Sequence, residues 1–149
     1  MSSEVIQQLA DRVAITELMV RYAERIDAAD AAGAAACFAP DGIGDYWGDC
    51  HGREAITARL TEILARFNAT QHHLSNTIIE LDGTSRARAR SYVYAFHRMA
   101  PDNSEMHVWG RWHDDLVKVD GQWLFAYRRV VLTGSKNRPG GDLGHARVG

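Results

Sequence analysis

Asp27, His97 and one of the adjacent pair His72 and His73 are the side chains whose types could move a proton near neutral pH. Asp27 ends the string Tyr22-Ala-Glu-Arg-Ile-Asp27. Tyr22 and Ile26 lie one helical turn apart on an apolar stripe, and Asp27 falls at its margin. A carboxylate at a helix C-terminus opposes the macrodipole. Periodicity alone therefore leaves two readings, a solvated turn residue or a carboxylate aimed into a cavity. His72 and His73 are consecutive on a β-type segment, so their side chains point to opposite faces and cannot share one metal. His97 falls on the inward face of the next strand. Tyr46, in Asp45-Tyr46-Trp47, is either ordinary packing or a site residue. Of the consecutive Arg128 and Arg129, Arg129 shares alternation with Trp123, Phe125 and Tyr127, which places it among aromatics, in need of an anion, a carbonyl or a salt-bridge partner. Two histidines and a carboxylate converging on an apolar cavity would be the components of general acid–base catalysis. No GxGxxG, P-loop, GxSxG or HExxH pattern occurs, and the expectation is a site without metal or cofactor.

The elements that must position these groups are legible in the spacing. Residues 3–29 read as a helix capped by Ser3, with Val5, Ile6, Leu9, Val13, Leu18, Met19, Tyr22 and Ile26 on its apolar stripe. Asp30 caps a short helix over 31–38, ended by Pro40-Asp41-Gly42, and residues 43–47 form a short strand. A third helix begins near Arg53, with Ile56, Leu60, Ile63, Leu64 and Phe67 buried. Four strand-like segments follow at 71–81, 85–97, 106–119 and 123–132, two of the turns between them marked by Asp82-Gly83 and Asp120-Gly121. Arg86, Arg88 and Arg90 alternate outward against Ala87, Ala89 and Ser91. Helices followed by a long meander predict an α+β fold, a cone-shaped curved antiparallel sheet with the N-terminal helices over its open side. Small inward residues, Ala87 to Ala95, would leave room for a ligand. Residues 1–132 make one domain, and 133–149 read as a flexible tail.

Composition narrows the function class. The 149 residues are 46% hydrophobic and 24% charged, with 17 Lys+Arg against 19 Asp+Glu and a net charge of -2. That balance suits a globular domain and argues against nucleic-acid binding. No apolar run approaches the ~20 residues of a membrane span. The N-terminus lacks the pattern of a signal peptide, and two cysteines without a CxxC fit a reduced compartment, so the expected location is cytoplasmic.

The strings AITELMVRYAERIDAAD, CFAPDG, TQHHLSNTIIELDG, RARSYVYAFH, GRWHDDLVKVDGQW and RRVV, in this order over some 130 residues, resemble the SnoaL-like branch of the NTF2-like (cystatin-like cone) superfamily. In site residues the chain is most similar to the scytalone dehydratase, hexachlorocyclohexane dehydrochlorinase and bile-acid 7α-dehydratase group. The resemblance implies that Asp27 and His72 are a catalytic acid–base dyad, His72 being picked out by Thr70-Gln71-His72, with His73 outward. It also implies substrate contacts from Tyr22, Tyr46 and His97, to which alternation adds Arg129. Ile26 stands where scytalone dehydratase has a tyrosine, and its inward asparagine is replaced near Trp112, so scytalone itself is not the expected substrate. The implied function is a cofactor-independent lyase or isomerase acting on a small apolar, cyclic substrate. Alternatives within the superfamily are a non-catalytic ligand-binding protein, a β subunit of a ring-hydroxylating dioxygenase, and a polyketide cyclase. The expected assembly is a homo-oligomer, a trimer before a dimer.

Overall fold

The computed structural model describes residues 1–145 and 147. Helix α1 (Ser3–Asp27) is capped by Ser2, whose hydroxyl accepts the Val5 N–H at 3.3 Å, one residue earlier than the sequence suggests. Its second half buries Ile15, Leu18, Met19, Tyr22 and Ile26 against the sheet. Its first half meets the sheet through a polar residue, buried Asp11, which accepts the Trp123 indole N–H at 2.9 Å, while Val5, Ile6, Leu9 and Val13 are exposed, although their spacing puts them on the same stripe. Asp30 caps α2 (Ala31–Ala35) by accepting the Gly33 N–H at 2.8 Å. The predicted continuation to residue 38 is absent, because Phe38 opens β1 (Phe38–Asp45). Pro40 is tolerated there because the β1–β6 register breaks between Phe38 and Ile43, where no ladder N–H is required. Gly42 sits in the same irregular stretch, and a Cβ there would meet the Phe125 carbonyl oxygen at 2.8 Å.

After β2 (Asp49–His51), α3 (Gly52–Leu64) buries Ile56, Leu60 and Leu64, and Phe67 starts β3 (Phe67–Asp82) rather than ending the helix. Strands β4 (Arg86–Met99), β5 (Glu105–Val119) and β6 (Gln122–Lys136) complete a six-stranded sheet in the order β2-β1-β6-β5-β4-β3. Every pair is antiparallel except β1 with β6, so the sheet is mixed. The α+β architecture is the curved, unclosed cone that the chain pattern predicts. No helix among the described residues is long and apolar enough to cross a membrane.

Two departures lie on β6. The strand runs to Lys136, four residues past the expected domain edge, because His107, Val108 and Trp109 at the start of β5 pair with Lys136, Ser135 and Gly134. The last residues of the expected tail, at 146, 148 and 149, lie outside the described residues. The second departure is a bulge. Leu116 pairs with Phe125 and Asp115 with Tyr127, which leaves Ala126 unmatched and shifts the alternation by one. Arg128 is consequently fully buried, and Arg129 turns outward.

Candidate active site

Asp27 is the last residue of α1, and it faces β3, one of the two edge strands of the sheet. An edge strand leaves alternate N–H groups without a neighbouring strand. The Asp27 carboxylate takes one of them: the His72 backbone N–H donates to Oδ2 at 2.9 Å. Thr70 Oγ1 donates to Oδ1 at 2.9 Å, and the His72 ring meets the same oxygen through Nδ1 at 2.7 Å. Burial alone would raise the carboxyl pKa. The hydrogen bonds from the His72 ring and backbone, together with Thr70, outweigh burial and hold it below the usual carboxylate value. An ionised carboxylate only accepts, so Nδ1 carries the proton and neutral His72 keeps its free lone pair on Nε2. His73 is exposed on the other face, its ring 5.8 Å from that of Tyr94.

His72 stands in the wall of a cavity of about 340 Å³ inside the cone. Ile26, Leu60, Val93, Ala95 and Val130 make its apolar surface. Of the small inward residues on β4, Val93 and Ala95 border this space, whereas Ala87 and Ala89 pack into the core. Trp112 stacks on His72 with ring centres 6.0 Å apart. Trp109 lies against Tyr94 and His107, and Phe125 is wholly in the core; neither lines the cavity.

His97 also borders the cavity, its ring 5.8 Å from that of His72. Burial pushes its imidazole pKa down to about 4, and charge on His72 acts in the same direction. Among the described residues its Nδ1 has no hydrogen-bond partner. A neutral, part-orphaned imidazole can hold a polar substrate group but is a poor acid at pH 7. The shift has a consequence for stability. Below about pH 6.5 the unfolded chain binds a proton at this position that the folded chain refuses. Stability should therefore fall as pH drops from about 6.5 to 4, by about 3 kcal/mol from His97, and level off below that. Urea melts across this range should show the loss in the wild type and a flatter profile in His97→Asn. Equal slopes in the two proteins would refute the assignment.

Tyr22 and Tyr46 reach the cavity from α1 and from the end of β1, with hydroxyls 2.6 Å apart. Burial raises both phenols, Tyr22 to about 12, against the opposing charge of Arg128. The sequence assigned that arginine role to Arg129, and the structure corrects it. Arg129 lies on the outer face near Asp45, at 3.4 Å and with its side chain 61% exposed. Arg128 is the inward residue. Its guanidinium packs 4.3, 4.0 and 3.8 Å from the rings of Tyr22, Trp112 and Phe125. Two 2.7 Å bonds tie it to buried Asp114, its cross-strand neighbour. Burial opposes the charge on Arg128, but Asp114 more than restores it, and the pair is ionic. Arg128 thus supports the aromatic floor from below and does not line the cavity. Sequence reasoning assigned no role to Thr70, Trp112, Asp114 or Arg128. Thr70 was within the Thr-Gln-His string, and Asp114 stands in GRWHDD, but nothing marked the bulge that turns Arg128 inward.

Among the described residues, no three His, Cys, Asp or Glu side chains converge as a metal-binding group.

The SnoaL-like domain family model matches residues 7–129. An uncharacterized protein of Mycobacterium tuberculosis is 31% identical over 129 residues, spanning 83% of this chain and 86% of its own. A crystal structure from Novosphingobium aromaticivorans, provisionally named a scytalone dehydratase, has a TM-score of 0.84 at 30% identity, covering 96% of this chain and 93% of that one. A type 2 hexachlorocyclohexane dehydrochlorinase has a TM-score of 0.81 and covers 97% of this chain and 96% of its own. At 16% identity that likeness is one of fold alone.

Proposed function

This chain belongs to the SnoaL-like domain family, and from that premise we propose that it is a cofactor-independent lyase or isomerase with Asp27 and His72 as its acid–base dyad. The observation that carries the reading is the 2.7 Å contact between Asp27 and His72 Nδ1 in a cavity wall, which leaves Nε2 as the base. In the reaction, Nε2 removes a proton from a carbon beside a carbonyl or similar activating group. The C–H electron pair becomes a C=C bond as the bond to the leaving group breaks, and that group departs as water or its equivalent. The ionised Asp27 stabilises the imidazolium formed. His97 and the Tyr22–Tyr46 pair are placed to hold the oxygen that departs or carries charge, and the proton that completes the departing group comes from the His72 imidazolium, which returns the dyad to its starting state. The cavity walls suit a small apolar, cyclic substrate.

The homo-oligomer belongs to the same proposal. The exposed apolar half of α1 and the outer sheet face around Tyr92, 45% exposed, support it, and the resemblance favours three copies over two.

The test is proton exchange. A panel of small cyclic β-hydroxy ketones incubated in D2O with the protein should show, by NMR, deuterium entering at the carbon beside the carbonyl and loss of water from at least one member. A ligand that saturates the cavity without exchange or elimination would overturn the lyase reading and favour a binding protein.

A further inference from the structure

Apart from the Asp27 carboxylate held behind His72, the charged side chains at the cavity border are of one sign. Among the described residues that border it, every Asp, Glu, Lys or Arg is an arginine: Arg59, Arg66, Arg111 and Arg138. The chain as a whole carries the opposite excess, -2. Arg111 turns its guanidinium onto the Tyr92 ring at 4.4 Å, on the outer face, and contributes no cation to the opening. Arg59 is partly committed, to Glu62 at 3.2 Å and to the Tyr46 carbonyl at 3.2 Å. Arg66 and Arg138 differ. Among the described residues neither guanidinium lies within 4 Å of a carboxylate. Arg66 reaches over Phe67, itself a cavity residue, 5.8 Å from the ring centre. The Arg138 guanidinium donates to the Gly141 carbonyl at 3.3 Å, while Asp142 is occupied by the Arg138 backbone N–H.

The opening also presents a flat apolar surface. Trp47 lines it with 61% of its surface exposed. Its φ of 62° is a left-handed conformation that a bulky side chain adopts only when its surroundings impose it. The imposing contacts are local: Tyr46 N–H to the Gly48 carbonyl, Gly48 N–H to Asp45 Oδ1, and Arg59 to the Tyr46 carbonyl. This turn sends Tyr46 inward and leaves the Trp47 indole at the rim.

We propose that the substrate is an organic anion, with an apolar ring inside the cone beside Trp47 and a carboxylate or phosphate left at the opening against Arg66 and Arg138. The proposal rests on the cone being the reacting site and adds the charge of what enters it. Low-dielectric walls concentrate the field of a one-sign rim and raise the local concentration of a counter-charged ligand. Both arginines are solvent-exposed, so their joint effect is about tenfold in affinity rather than the far larger factor of a buried pair.

The experiment compares three probes that share one ring, 1-naphthoate, 1-naphthyl phosphate and the neutral 1-naphthamide, by isothermal titration at low salt. At least one anion should bind about tenfold more tightly than the amide, and added salt should narrow the gap. Whichever anion binds better identifies the carboxylate or the phosphate as the group recognised. Arg66→Gln/Arg138→Gln should bring the ratio close to one with the fold unchanged. The same titrations in His72→Ala should keep the wild-type preference, which separates this proposal from the elimination chemistry. Equal affinity for amide and anions, a preference that survives in the double variant, or no binding of any probe at millimolar concentration would each overturn it.

Discussion

Replacing His72 with Ala should lower the elimination rate by about 10²–10⁴-fold, the usual contribution of a positioned general base. No other group is placed to take over. His97 is neutral and 5.8 Å away, with its pKa near 4, so it is too weak a base to compete. The phenols of Tyr22 and Tyr46 hold their protons, raised by burial. Asp27 is committed to three donors. The variant should fold, because the backbone N–H that joins β3 to α1 remains and the side chain borders a cavity rather than filling the core. His73→Ala is the matched control, one residue along the strand and on the opposite face, and its rate should stay within about twofold of wild type. A His72→Ala protein that turns over substrate at the wild-type rate would remove the dyad from the mechanism.

The Asp27–His72 contact was legible because strand alternation separates His72 from His73 and the resemblance selects between them. The apolar stripe alone left Asp27 undecided. What decides it in the fold is tertiary, the edge position of β3, which offers a spare N–H to the end of α1. Arg129 was misplaced for the same kind of reason. Period-two counting from Trp123 holds as far as Phe125, and one unmatched residue, Ala126, then exchanges the two arginines. Nothing in Phe-Ala-Tyr-Arg-Arg marks that bulge, since it arises from fitting β6 between β1 and β5. The end of β6 was hidden differently. Thr133-Gly-Ser-Lys has little strand character, and pairing with β5 overrides local preference. In α1 the stripe is continuous while its partner surface is not, so periodicity identified the helix but not where burial begins. Trp47 shows the converse, a large aromatic residue that stands exposed because the turn after β1 sends its neighbour inward.

Asp27→Asn should be nearly as damaging as the loss of His72, for a reason visible in the hydrogen-bond count. The carboxylate has two oxygens and accepts from three donors: Thr70 Oγ1, the His72 backbone N–H and His72 Nδ1–H. An asparagine offers one oxygen and one NH2, and the NH2 must oppose a donor. If the oxygen keeps the His72 ring, the NH2 faces the backbone N–H. If the oxygen keeps the backbone, the NH2 points at Nδ1, which must then become the acceptor and pass its proton to Nε2. In the first case the imidazolium loses the charge that stabilises it, and in the second the base is already protonated. An Asp-to-Asn change beneath a catalytic histidine characteristically costs on the order of 10³-fold or more. The donor conflict also costs stability, about 1–3 kcal/mol, so the rate must be measured well below the melting temperature of the variant. Asp27→Glu tests the same logic from the other side, since it keeps the charge and both oxygens and should retain more activity than Asp27→Asn despite its extra methylene. If Asp27→Asn is folded and within threefold of wild type, the carboxylate serves only to fasten β3 to α1, and the proton chemistry must be sought elsewhere in the cone.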